Sequence, residues 1–277
     1  PGVSATGVVN AGQPLQLKAI LSVPQSIGGN ATWMVDDTSV SLQSIGLFPD
    51  TVVVPAVNIF GAPSASVTTV TAYMAFAPNT LPAGVTLTFA LLARIPYQNK
   101  EAIGSITITV NSPPTSGSFY VDPSSGEALS QSFQFVAAQW VDSDLPISYQ
   151  FSYTANTGAD VVLRSRLEKA FGSSLLPAGE DILQNRISCA VQVFDALNAN
   201  TTARYLTTVT KSVQRNSSQV EQFVQAQLAA ASSDADGIKQ ATALSSYLLN
   251  VINCTFAPNC SHLHRKECIS TPHTCGS

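Results

Sequence analysis

Charge is what this sequence has least of. Asp, Glu, Lys and Arg supply 11% of its 277 residues, less than half of the roughly one quarter usual in soluble domains. Lys and Arg number 13 against 17 Asp and Glu, for a net charge of −4. That balance leaves no basic footprint for nucleic acid and no polybasic segment for anionic lipid. No apolar run approaches the roughly 20 residues of a membrane span. There is no G-x-S-x-G elbow and no glycine-rich phosphate loop, and the three histidines all fall within residues 262–273. Nucleophilic and phosphoryl-transfer chemistry therefore finds no scaffolded residues, and the expectation is a non-enzyme with no catalytic residue and no cofactor. The chain begins at Pro1 without a methionine or signal peptide, as expected of a processed form or a section of a longer chain.

Apolar residues, by contrast, reach 45%, ample for real cores. With so little charge, Ser, Thr, Asn and Gln must cover the surface. Such a surface needs glycans for solubility or is buried in an assembly. Five Asn-x-Ser/Thr sequons occur, at Asn30, Asn200, Asn216, Asn253 and Asn259. Five cysteines are unevenly placed: Cys189 alone, then Cys254, Cys260, Cys268 and Cys275 near the end. The four late ones predict a small disulfide-stapled module. An odd total implies a free thiol or an absent partner. The chain stops two residues after Cys275, inside the cysteine-rich stretch, so a cut-off partner is one natural explanation.

The first region, 1–112, reads as about seven short strands. Leu15, Leu17, Ala19, Leu21 and Val23 alternate with mostly polar residues, and so do Leu87, Phe89, Leu91, Ala93 and Ile95, the period of a half-buried strand. Ile106, Ile108 and Val110 follow suit. Strand count and turn spacing favour a β-sandwich. Two prolines stiffen the seam at 111–118. The second region, 113–215, repeats the pattern through Phe133, Phe135 and Ala137, and through Ile187, Cys189, Val191 and Val193. Cys189 points with its apolar neighbours and is expected in the core.

An internal repeat supports two copies of one fold. FAPNTLPAG (76–84) matches FGSSLLPAG (171–179), and Trp33 and Trp140 each precede an acidic pair. The expectation is that each Trp plugs a sandwich and each Leu-Pro-Ala-Gly turn drives its Leu into the core. Residues 216–253 change period. Val220, Phe223, Val224 and Leu228 form one stripe and Ile238, Ala241, Leu244, Leu248, Leu249 and Ile252 a second, broken at SSDADG (232–237), which predicts a helical hairpin. Residues 254–277 form the start of the cysteine-rich module.

WVDSDLPISYQFSY (140–153), the later LPAG (176–179), ISCAVQVFD (187–195), and the preceding VNSPPTSG (110–117) and VDPSSG (121–126) resemble the REJ (receptor for egg jelly) region of polycystin-1-like proteins. The resemblance covers most of residues 1–215 and extends to the helical segment. It implies a mainly β chain of two tandem fibronectin-III/Ig-like β-sandwiches in a secreted or cell-surface protein, with no enzymatic residues to carry over. The tail is similar to cysteine-rich segments that follow REJ-like regions in large extracellular proteins of algae and other protists. Polycystin-1-like receptors instead continue toward an autoproteolytic juxtamembrane domain.

Two possible metal sites compete with plainer readings. Asp142 and Asp144, like Asp36 and Asp37, could bind Ca2+, but calcium takes six to eight oxygens, and aspartates at such turns commonly cap local N–H groups. The cysteines and histidines of the tail could hold zinc, but their spacings fit no zinc pattern, and disulfides suit sequons at Asn253 and Asn259. Two functional readings stay open. One is an extracellular structural glycoprotein, a self-assembling protomer of a fibril, cell coat or flagellar hair, with N-linked glycans and with copies of itself or other extracellular proteins as partners. The other is a ligand-binding ectodomain fragment of a polycystin-1-like receptor.

Overall fold

A computed structural model describes residues 7–24, 28–56, 67–95, 99–155, 158–212, 217–231, 234–250, 256–268, 271 and 273–276. The chain is mainly β, with its sheets in sandwich-like arrangement. It divides into two compact units: residues 1–116, 141–147 and 193–201 form the first, and 117–140, 148–192 and 202–277 the second. The segments 141–147 and 193–201, expected within the second sandwich, thus count with the first unit.

In the first unit, β1 (Val8–Asn10), β2 (Leu15–Pro24), β3 (Gly29–Val35), β4 (Thr51–Val54), β5 (Val67–Phe76), β6 (Thr86–Ile95) and β7 (Lys100–Asn111) follow in order, with one helical turn, α1 (Leu42–Ile45), between β3 and β4. One sheet runs β1-β7-β6-β3-β4 and the other is the antiparallel pair β2-β5. β1 pairs parallel to the end of β7, Val8 opposite Thr109. The alternation seen in the sequence sets the core: Leu15 and Leu17 from β2, Met74 and Phe76 from β5, Leu87, Phe89 and Leu91 from β6, and Ile108 and Val110 from β7. Phe76 and Phe89 meet with ring centroids 5.3 Å apart. Removing such a ring from water contributes roughly 2–3 kcal/mol. Trp33 is buried here as expected.

The second unit holds β8 (Ser118–Asp122), β9 (Ser125–Glu127), β10 (Ser132–Ala138), β11 (Ser148–Thr154), β12 (Asp160–Leu167), β13 (Phe171–Leu175) and most of β14 (Arg186–Phe194) and β15 (Asn200–Thr210), whose adjoining ends at 193–201 count with the first unit. Its sheets run β13-β10-β8 and β12-β11-β14-β15-β9. Phe119, Phe135 and Phe151 pack with centroids 6.0 to 6.3 Å apart, and Cys189, Val191 and Val193 of β14 are fully buried, as their alternation predicts.

The repeat is half structural. Leu81 and Leu176 are both buried, so each Leu-Pro-Ala-Gly turn seats its leucine as expected. Gly84 takes φ +76°, a left-handed value that suits glycine. At Gly179 a Cβ would lie 2.3 Å from the Asn185 backbone, so only glycine lets the two segments touch. The phenylalanines differ: Phe76 is buried and Phe171 is 49% exposed. The tryptophans are not equivalent either. Trp33 lies within β3, whereas Trp140 follows β10, donates from its indole Nε1 to Ser118 O and lies against Gly117, which has no room for a Cβ there. Trp140 is not a sandwich plug. A Trp followed by acidic residues is too short a pattern to fix strand position.

The helical hairpin forms, as α2 (Ser217–Ala230) and α3 (Ala235–Asn250). Ala241, Leu244 and Ser245 of α3 are buried, while Ile238, Leu249 and Leu228 of the expected stripes are exposed. Ile252 lies outside the described residues. No described helix is long and apolar enough to cross a membrane.

Candidate functional site

Three carboxylates converge at one end of the first unit. Oxygens of Asp142, Asp144 and Asp195 lie within 4.8 Å of one another. Asp142 and Asp144 sit on the 141–147 segment, and Asp195 directly follows β14. Asp142 Oδ1 accepts the Asp144 N–H at 2.7 Å, the local turn bond that short acidic side chains supply. Asp195 is fully buried. Its Oδ1 accepts the Ala199 N–H at 2.8 Å and its Oδ2 accepts Asn111 Nδ2 at 2.6 Å. Asn111 Nδ2 also donates to Asn10 Oδ1 at 3.0 Å, and Asn10 Nδ2 donates to Leu197 O at 2.9 Å. A buried carboxylate, two buried amides and the 195–199 turn therefore form one connected network.

That network is a rigid anchor, because each buried polar group left unpaired would cost about 1–3 kcal/mol. For a hard cation, the site offers three carboxylates out of the six to eight oxygens calcium takes, and one oxygen of Asp142 and both of Asp195 are already engaged. No spacing in the sequence signals Asp195; only the fold brings it to Asp142 and Asp144. Asp36 and Asp37 lie elsewhere and serve turns. Asp37 Oδ1 accepts the Ser39 N–H. Asp36 Oδ1 accepts the Thr88 N–H, a bond that holds its carboxyl below the ordinary value.

In the tail, Cys260 and Cys275 form a disulfide and Cys268 is also disulfide-bonded; Cys254 lies outside the described residues. The free cysteine among the described residues is Cys189, which is buried in a core. Burial pushes it up to about 12, with the Thr207 hydroxyl as the counterweight. Such a thiol stays protonated and unreactive near neutral pH. Of the five sequons, Asn216 and Asn253 lie outside the described residues. Asn200 opens β15 and is exposed, as is Asn259. Asn30 stands in β3 between β4 and β6, with its Oδ1 buried.

A family model for the REJ domain matches residues 58–246. The chain belongs to the REJ domain family. No curated protein matches it. Among solved structures, similarity is found to a Ca2+-stabilised adhesin by which an Antarctic bacterium binds ice, at 16% identity and TM-score 0.39, over 76% of this chain and 47% of that one. A 1.5-MDa bacterial ice-binding adhesin is similar at 14% identity and TM-score 0.30, over 76% of this chain and 63% of that one. The FN1-FN3 domains of chicken CNTN1 are similar at 10% identity and TM-score 0.24, over 66% of this chain and 56% of that one. The chain spans less than two thirds of each of these structures.

Proposed function

We propose that this chain is a non-enzymatic extracellular structural glycoprotein, a self-assembling protomer of a fibril, cell coat or flagellar hair. Its REJ membership supports the extracellular setting, and the tail disulfide fits an oxidising route. The observation that carries the assembly reading is on the edge strands of the first unit. Ile20 on β2, Val53 on β4 and Val67 on β5 are 61 to 71% exposed. Apolar edge strands are an open template for another chain unless charge or bulges protect them, and charge is what this sequence lacks. In this reading each unit is one fibronectin-III-like sandwich, β1–β7 and β8–β15, because both place a short early strand parallel beside their last strand.

The test is to secrete the chain from eukaryotic cells and follow its sedimentation over a wide concentration range. Assembly with concentration is expected, through interfaces burying more than roughly 1,000 Å2. A strictly monomeric, glycosylated product would instead favour the receptor-ectodomain reading, which the REJ match also supports. A product retained in the cytosol with reduced cysteines would defeat both.

A further inference from the structure

The helical hairpin closes one side of the second unit. β12 and β13 are end strands of that unit's two sheets, and α3 reaches both. It packs along β12, where Asp236 accepts the backbone N–H and the hydroxyl of Ser165. One turn on, Gln240 Nε2 donates to Ser174 Oγ on β13. Asp236, Gln240 and Leu244 stand at intervals of one turn, with Ala241 and Ser245 beside them. One face of the helix therefore carries both the hydrogen bonds and the buried side chains.

The Ser165 bonds fall where β12 is least regular. Tyr149 pairs with Leu167 and Phe151 with Arg164, so Gln150 alone faces Ser165 and Arg166. That is a bulge, where the ladder between two strands is locally disrupted. The Asp236 carboxylate takes up the Ser165 N–H at that point.

Apolar burial adds little to this hold. Among the described residues α3 buries two apolar side chains, Ala241 and Leu244, and no described side chain of α2 is buried. Leu228, Ile238 and Leu249 stay exposed. The sheets beneath differ: Phe133, Phe135, Phe151, Leu176 and Val191 are all fully buried. One group on α3 works against docking. Ser245 Oγ is buried without a hydrogen-bond partner. An unpaired buried hydroxyl disfavours the closed state, because opening returns it to water.

Segments with few buried apolar contacts open at lower free energy than the core they lie on. We propose that α2 and α3 form a strap that lifts as a unit while the sheets of the second unit stay folded, uncovering the sides of β12 and β13 that α3 covers. Asp236 and Gln240 are its latch, and Ser245 sets how readily it lifts. The strap belongs to the second unit alone, and its opening does not depend on the assembly reading.

Native-state hydrogen exchange of the full chain, read by mass spectrometry in low urea, tests this. Peptides from α2 and α3 should exchange at least about tenfold faster than peptides from β10 and β14. Added urea should speed the helices weakly and the strands steeply, because lifting the strap exposes less surface than unfolding the sheets. Asp236→Ala/Gln240→Ala should speed the helices at least about tenfold more, with β10 and β14 still the slower set. Ser245→Ala should act in the opposite direction and slow the helices at least about fivefold. Thiol labelling of Cys189, which is buried, reports whether the sheets stay folded, and it should remain slow in both variants. Gln240→Ala alone serves if the double variant labels at once. Helices and strands that share one rate and one urea slope would overturn the proposal. So would latch variants that leave helix exchange unchanged, or a Ser245→Ala chain that opens no more slowly.

Discussion

Both carboxylate oxygens of Asp236 are taken by Ser165: the Ser165 N–H donates to Oδ2 at 2.7 Å and its hydroxyl to Oδ1 at 2.6 Å. One aspartate in the first turn of α3 is thus clamped to β12, and Gln240 one turn on donates to Ser174 of β13. Burial alone would raise the Asp236 carboxyl, but the two Ser165 bonds, with Lys239 beside them, together outweigh it and hold it below the ordinary value.

Asp236→Asn should therefore destabilise the second unit by about 1–3 kcal/mol, the cost of breaking a charge-assisted pair. The sign with pH follows from a lowered folded pKa. The contribution is present above the ordinary value of 3.8 and is lost as pH falls through the lower folded value. Denaturant unfolding at pH 7 and at pH 2 checks this: the wild-type advantage over Asp236→Asn should shrink at the acid end.

Asp195→Asn should cost about 2–4 kcal/mol in the first unit. Its two oxygens both accept N–H groups, and an amide offers one oxygen and turns a second donor on its partners. Thermal unfolding of the variant measures the loss, and an unchanged midpoint would refute the anchoring role of the network.

Cys189 should resist thiol reagents in the native chain and react only on unfolding. With its thiol pushed up to about 12 from 9.0, the folded state holds a proton that the unfolded state releases between those values. Stability should therefore fall as pH rises above about 9. Cys189→Ala should flatten that fall. Labelling kinetics at pH 8 and urea midpoints from pH 8 to 11 read both effects.

The tail should depend on disulfides rather than on metal. Arg265 and Lys266, exposed between Cys260 and Cys275, should become faster trypsin sites after reduction, while a zinc chelator leaves cleavage unchanged. Acceleration by the chelator alone would reverse the assignment.

Glycan occupancy should follow exposure. Peptide mass spectrometry of secreted chain should find sugar at Asn200 and Asn259 and none at Asn30, whose Oδ1 is buried within β3. Bare asparagine at all five sequons would remove the glycoprotein reading.

The sequence by itself determined the local elements. Alternation at Leu15–Val23 and Leu87–Ile95 put β2 and β6 within a residue of their bounds, because a strand's two faces repeat every second residue. The 3.6-residue stripe drew α3, and REJ motifs named the family before any coordinate. What it left open were properties of distance across the chain. Trp140 looked like Trp33, yet a three-residue pattern cannot report which strand it falls on. Asp195 joined Asp142 and Asp144 only when Asn111 and the turn to Ala199 closed around it. The parallel pairing of β1 beside the end of β7 was invisible too, because pairing between distant strands is settled only when the sheets assemble.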